Sequence, residues 1–345
     1  MTGDAQQRVN GLWYGRSPLR YLLAPLSWLY GAIVVLRARA YRHGILSGVR
    51  MKVPVVVVGN LTTGGTGKTP LVIALVRALA ERGLKPGVIS RGYRGRVGPV
   101  PVLVGSNPDP AIVGDEPLLI ARRTGSPVAV HPDRVAAARL LEAQGVDIII
   151  ADDGLQHYRL ARDFEIAVVD ARRGFGNGWL LPAGPLREPI GRLQSVDRIL
   201  LNAAADADVP ASVAALPEPL RCSRFRLEPS AFRAVASGDL APLDRFSGER
   251  VHAVAGIGHP ERFFATLKAL GADVIAHPRP DHAAVTAADL DFDDGLPVVM
   301  TEKDAVKCPC GVDDRLWALS VDVVMEDDTL VDALTDLATR ETSDP

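Results

Sequence analysis

Lys68 and Thr69, preceded by Thr62-Thr63-Gly64-Gly65-Thr66-Gly67, close a glycine-rich run that follows the apolar residues 55–58 directly. Residue types in this order make a phosphate cradle. Glycines let successive backbone N–H groups turn inward on phosphate oxygens, Lys68 reaches the β- and γ-phosphates, and the Thr69 hydroxyl suits Mg²⁺. The general rule G-x-x-x-x-G-K-[ST] is broken at its first place, where Thr62 stands five before Gly67, but the core GGTGKT is intact. A fortuitous glycine turn is the alternative. Context separates the two, because an apolar strand precedes the run and a helical stretch, residues 71–82, follows it.

Residues 147–151 form a second apolar strand and end in Asp152-Asp153-Gly154-Leu155-Gln156-His157. A carboxylate at such a strand end, in the same sheet as a phosphate loop, is placed to organise Mg²⁺. Asp152 or Asp153 is that candidate, and a plain Asp-Gly turn is the alternative. Asp115, in Gly114-Asp115-Glu116-Pro117, stands ahead of the helical stretch 118–123, and its spacing alone reads as a helix N-cap. Asp281 and His282 are adjacent after Pro280, so the carboxylate could orient the imidazole and His282 could shuttle a proton. A lone Asp-His pair in a loop is more often merely solvated. Arg91 in residues 90–95 and Arg187-Glu188 in residues 184–189 sit in glycine-bounded loops, where guanidinium groups could clamp phosphate or sugar oxygens.

These groups need a scaffold. Short apolar strands alternate with helical stretches, the pattern of a mostly parallel α/β sheet flanked by helices. Strands are expected at residues 53–58, 86–90, 100–104, 127–130, 147–151, 165–169 and 198–201. Residues 203–219, rich in Ala, Asp and Pro, read as a loop or short polar helix leading to a linker. Beyond it, strands at 251–255, 274–276, 298–300 and 316–321, with helices near 260–270 and 330–340, suggest a second, smaller α/β domain. The divisions are 1–50, 51–220 and 221–345.

A chain of 345 residues with 47% hydrophobic composition is long enough for two cores. Its net charge of −2 is unevenly spread: residues 1–52 hold eight Lys or Arg against Asp4, so about +7 lies there and about −9 elsewhere. Neither a nucleic acid nor an obligate protein partner is expected. Three cysteines make no disulfide framework and fit a reducing compartment, and Cys308-Pro-Cys310 lacks a second ligand pair nearby. Within the basic stretch, residues 21–36 are uncharged. As a helix this run measures roughly 24 Å, short of the roughly 30 Å hydrocarbon core, and Pro25 weakens its first turns. Arginines directly after it oppose a secretory signal. A buried core helix and an interfacial anchor, with Tyr21, Trp28 and Tyr30 at the boundary, both remain.

Together the motifs resemble one family, the tetraacyldisaccharide 4′-kinases, the lipid A 4′-kinases of Gram-negative bacteria. In order from residue 59 to 308 they are GNLTTGGTGKTP, SRGYRG, GDEPLLIA, HPDRVAAA, ADDGLQHYRLARD, GPLREP, GIGHPERFF, PDH and MTEKDAVKC. Thr62 is no departure within that family. The resemblance implies a P-loop kinase fold with ATP and Mg²⁺ as cofactors. It implies transfer of the ATP γ-phosphate to the 4′-hydroxyl of a tetraacylated glucosamine disaccharide 1-phosphate, giving lipid IVA. It further implies an anchor at the anionic cytoplasmic face of the inner membrane, Asp115 as general base, and His282, held by Asp281, tuning it. Thr69 and Asp152 are implied as Mg²⁺ ligands with Asp153 as a further partner, while Arg91, Gln156, His157, Arg187 and Glu188 are implied on the nucleotide or acceptor headgroup. Two rivals stand beside this: a P-loop kinase of another lipid-linked alcohol, and a nucleotide-dependent membrane switch. An N-K-x-D guanine element is not matched, since residues 301–304 have the wrong spacing.

Overall fold

Valine and isoleucine runs bounded by glycine set the architecture: buried on both faces, they demand helices above and below the sheet. The computed structural model describes residues 3–15, 17–93, 95–105, 109–203, 211–214, 222–281, 283, 285–308, 313–326 and 328–341. His282 and Cys310 lie outside the described residues. At the amino end α1 (Gly3–Tyr14) leads to α2 (Leu19–Arg42). Then come β1 (Val55–Gly59), α3 (Lys68–Glu81), β2 (Pro86–Ser90), β3 (Val102–Leu103), α4 (Pro110–Val113), α5 (Asp115–Thr124), β4 (Val128–Val130) and α6 (Arg134–Glu142). β5 (Ile148–Asp152), β6 (Phe164–Asp170), β7 (Arg198–Asn202), α7 (Ala211–Ala214), β8 (Cys222–Ala234) and β9 (Leu240–Ala241) follow. The chain ends through β10 (Arg250–Ala255), α8 (Pro260–Ala269), β11 (Asp273–Pro278), β12 (Val298–Thr301), α9 (Glu302–Ala305), β13 (Leu316–Met325) and α10 (Thr329–Glu341).

One sheet joins all of these strands, in the order β11-β10-β12-β13-β8-β7-β6-β1-β5-β2-β4-β3, with β9 paired to β8. Pairing is parallel except at β13–β8, β3–β4 and β8–β9. β1 lies mid-sheet between β5 and β6. Its side chains alternate between two cores: Val56 and Val58 pack with α3, α5 and α10, and Val55 and Val57 with α6 and Phe175. Two further clusters cover the faces of β10 and β12.

β8 replaces the expected linker. Its alternation of Arg224, Arg226, Glu228 and Arg233 with buried Phe225 and Phe232 marks a half-exposed strand, and Pro229 sits where the β13 register shifts, a place that tolerates a missing donor. Because β8 pairs β7 on one side and β13 on the other, the two halves of the chain share a continuous sheet. The division expected after residue 220 falls in residues outside the described set.

α2 has 24 residues rather than 16, because Arg37, Arg39 and Arg42 continue the helix, the last two complementing its C-terminal dipole. The length argument against a span therefore does not hold: at about 36 Å it is long enough, with a mean hydropathy of 1.6. Pro25 lies inside the helix without ending it. Ala24, Ser27 and Gly31 form its buried stripe, where Ser27 Oγ donates to Leu180 O at 2.8 Å and a Cβ on Gly31 would fall 2.6 Å from Leu180 Cδ1. The opposite face leaves Leu22, Leu26, Leu29, Ile33 and Leu36 more than half exposed, and Trp28, beside the buried stripe, is also more than half exposed.

Candidate active site

β1 runs into the phosphate loop through Asn60, a fully buried amide whose Nδ2 donates to Thr62 O at 2.8 Å and closes the turn. Lys68 Nζ donates to Asn60 Oδ1 at 3.0 Å, so the same side chain sets both the turn and the ammonium. Gly67 caps α3 with φ +92°, and a Cβ there would lie 2.7 Å from Asn202 Nδ2, which donates to Thr66 O at 3.1 Å. Only glycine meets both demands. Gly64, with φ +109°, faces Arg173 in the same way. The loop is laced to residues 185–187 from outside: Thr63 N donates to Pro185 O at 2.8 Å and Arg187 N to Leu61 O at 2.6 Å.

Parallel register sets Val58 of β1 beside Asp152 of β5, so the strand-end carboxylates border the loop. Asp152 is buried, and its Oδ1 has no hydrogen-bond partner among the described residues. Burial, with Glu116 and Asp153 adding to it, pushes its carboxyl up to about 7 against the pull of Lys68 and Arg134. A buried acceptor of this kind, at a phosphate loop and raised by desolvation, suits a divalent cation, and the Thr69 hydroxyl in the first turn of α3 suits it too. Asp153 adopts φ +50° and accepts from Arg187 Nη1 at 2.9 and 3.1 Å, with Lys68 Nζ at 3.5 Å. Burial alone would raise it, but Lys68 and Arg187 hold it at about 2. Buried Arg134 donates to Asp152 O at 2.9 Å, and desolvation lowers its guanidinium to about 10.

Gln156 and Glu188 support this layer. Gln156 Nε2 donates to Asn60 O and to Glu188 Oε2, each at 3.2 Å, and Tyr158 donates to Glu188 Oε1. Burial and then the Glu188 charge push the Tyr158 phenol up to about 12.

Asp115 opens α5 and is buried; the N-cap position suggested for it by spacing is taken by Gly114, at φ +89°, and Asp115 is the first helical residue. Its Oδ1 accepts from Glu116 N at 3.2 Å. From the far half of the chain, Lys303 Nζ donates to Glu116 Oε1 at 3.1 Å. Burial would lower that ammonium, but the charges of Glu116, Asp115 and Asp281 raise it above its ordinary value. Carboxylates and cations from α5, β5, α3 and α9 thus gather beside one phosphate loop.

A family model described as tetraacyldisaccharide-1-P 4′-kinase matches residues 19–339. The chain belongs to that family. A tetraacyldisaccharide 4′-kinase of Alkalilimnicola ehrlichii is 52% identical over 316 residues, spanning 91% of this chain and 92% of that protein. One from Pseudomonas fluorescens is 48% identical over 319 residues, covering 92% of each. The crystal structure of LpxK from Aquifex aeolicus in complex with ATP superposes with a TM-score of 0.78 at 29% identity, covering 94% of this chain and 99% of that one.

For a member of the 4′-kinase family, the positions singled out from the sequence divide into three sets. Residues 62–69, Asp152, Asp153, Gln156, Arg187 and Glu188 surround the loop, with Asp115 and Asp281 joined to them through the field of Lys303. Arg91 is at the rim, exposed, lining a cavity of about 260 Å³ with Gly92, Tyr93, Gly95, Val97 and Pro132. His157 turns inward: desolvation, then Arg134, lowers its imidazole to about 4 and its Nε2 is buried. Asn60, Glu116, Arg134 and Lys303 had no role in the sequence reading although each lies within or beside a quoted motif. A second cavity, of about 370 Å³, is lined by Asn10, Tyr14, Arg172, Arg173, Gly176 and His259.

Proposed function

We infer that this chain transfers the γ-phosphoryl group of ATP to the 4′-hydroxyl of a tetraacylated glucosamine disaccharide 1-phosphate, giving lipid IVA. The observation that carries the reading is Lys68, held by Asn60 in the phosphate loop, with the buried strand-end carboxylate of Asp152 beside that loop, and Asp115 buried at the start of α5 supports it. Asp115 takes the hydroxyl proton, the 4′-oxygen bonds to the γ-phosphorus, and the β–γ bridging bond breaks with its electron pair leaving on ADP. Lys68 and the loop N–H groups offset the charge that spreads over the phosphoryl oxygens. Thr69 and Asp152 would hold Mg²⁺, which supplies charge neutralisation at the phosphates. Asp153 is kept ionised by Lys68 and Arg187 and orients both cations. Arg91, Gln156, His157, Arg187 and Glu188 shape the surroundings of the nucleotide and acceptor headgroup, and Asp281 with His282 completes the site from the smaller domain.

The division into residues 1–50, 51–220 and 221–345 belongs to this reading, with the second and third parts meeting over the reacting hydroxyl. The exposed apolar face of α2, flanked by arginines, lies in the anionic cytoplasmic leaflet of the inner membrane of a Gram-negative cell, where the acyl chains of the acceptor stay.

Asp115→Asn tests the chemistry. With detergent-dispersed disaccharide 1-phosphate and labelled Mg-ATP, the variant is expected to bind ATP normally and to lose roughly 10²- to 10⁴-fold in kcat, the usual span for a general base. Unchanged labelling of the lipid would remove Asp115 from the role. ATP hydrolysis by the unaltered protein without any lipid labelling would remove the acceptor.

A further inference from the structure

Residues 300–308 form a quoted motif to which the reaction assigns no group. Within it Asp304 is fully buried: its Oδ2 accepts from Gly256 N at 2.9 Å and Thr301 Oγ1 at 2.6 Å, and its Oδ1 accepts from Lys307 Nζ at 2.6 Å. Lys307 Nζ also donates to Ala283 O at 3.1 Å, tying the motif to the segment that carries Asp281. On the other side Glu302 is paired with Arg123 of α5 and accepts from Ser320 Oγ at 3.0 Å. Both neighbours of Lys303 are therefore immobilised, one against α5 and the other against the end of β10 and the Asp281 segment.

Such anchoring leaves the Lys303 stem little freedom, and its ammonium ends 3.1 Å from Glu116 Oε1, the residue directly after Asp115. We propose that Lys303 is a positioning residue for phosphoryl transfer: by clamping Glu116 from the opposite half of the chain it fixes the first turn of α5, and so the direction in which Asp115 meets the acceptor hydroxyl. The proposal rests on the reading of Asp115 as the base. Glu116 and Asp115 from α5 and Asp281 from the loop before β12 all act on this ammonium and raise its pKa, so it stays charged while it holds Glu116. A neutral side chain in its place would remove the charge-assisted bond to Glu116, and the first turn of α5 would lose its tie to the opposite half of the chain.

The test uses the full chain with dispersed disaccharide 1-phosphate and Mg-ATP, measuring kcat, both KM values and the thermal midpoint. Lys303→Met is expected to lower kcat by about tenfold to a hundredfold, with the KM for ATP within about twofold and the thermal midpoint little changed. Lys303→Arg should recover most of the rate, and adding Glu116→Gln to Lys303→Met should cost little more, since both remove one contact. If Lys303→Met does not fold, Glu116→Gln alone serves and should show the same selective fall in kcat. A rate within about twofold of the unaltered protein in either variant overturns the proposal, as does a loss that tracks the thermal midpoint and is not restored by arginine. Inactive Asp115→Asn beside fully active Lys303→Met overturns the clamp alone, whereas fully active Asp115→Asn overturns the base and the clamp together.

Discussion

At the scale of single residues, neighbouring groups of the same type are driven to opposite states. Asp152 and Asp153 are consecutive, yet burial pushes one carboxyl up to about 7 and two cations hold the other at about 2. The difference lies in access to Lys68 and Arg187, which reach Asp153 while Asp152 keeps a buried oxygen without a partner among the described residues. His157 shows the same sensitivity to burial. Its folded pKa, about 4, lies below the ordinary imidazole value of 6.5, so the folded state resists protonation. Its contribution to stability is complete above the unfolded value and is lost as pH falls toward 4. Between pH 7 and pH 5 Asp152 acts in the opposite sense, since its raised carboxyl favours the folded state as pH falls, so the imidazole is read by difference: relative to His157→Gln, the urea midpoint of the native chain should fall from pH 7 to pH 5. An identical slope in the variant would place the proton uptake elsewhere.

At the scale of elements, α2 is held to the molecule by small residues and coupled to the site by a larger one. Tyr30 Oη donates to Arg187 O at 3.0 Å, and the Arg187 side chain grips Asp153. Trp28 stacks on Trp179 with ring centroids 6.4 Å apart, and Tyr21 meets the same ring edge-on. The helix thus has a docked stripe and an apolar outer face. Changing Leu22, Leu26, Leu29 and Ile33 together to Gln should leave ATP binding intact and weaken partitioning onto anionic vesicles on the order of ten-thousandfold, since four fully inserted side chains at about 1.5 kcal/mol each sum to about 6 kcal/mol. Retained sedimentation would mean that the arginines alone hold the membrane.

Across the whole molecule, a single sheet carries both halves, and a strut braces them. Arg123 of α5 pairs with Glu302 of α9 and with Asp322 of β13, and its carbonyl accepts from Arg77 Nε at 2.9 Å. The Arg123 side chain is only 6% exposed and that of Glu302 13%, so the pair acts outside bulk solvent, while the half-exposed Asp322 adds little. Arg123→Met would leave the Glu302 carboxylate without its cation and should cost about 3 kcal/mol in urea unfolding. A cost near zero would show that the halves are joined by the sheet alone.

Much of this was readable from local pattern. Residues 86–90 form β2 with the expected bounds, and the strand, glycine loop and helix around Lys68 lie where their composition placed them, because backbone burial and left-handed glycines are local demands. β8 escaped notice because its arginines and Pro229 hide a period of two that matters only once β7 and β13 flank it. α2 outran its uncharged run because arginines are good helix formers and its last turn accepts their charge.

By itself the sequence determined the phosphate loop, the alternation that builds a parallel sheet, the apolar helix at the basic amino end and the motif series that marks the family. Those depend on residues close together in the chain. The pairing of Lys303 with Glu116, the split between Asp152 and Asp153, and the burial of Asp115 were decided by tertiary structure alone. Each is set by charges and buried surface brought together from distant segments, and no spacing in the chain records which carboxylate will be desolvated and which will meet a cation.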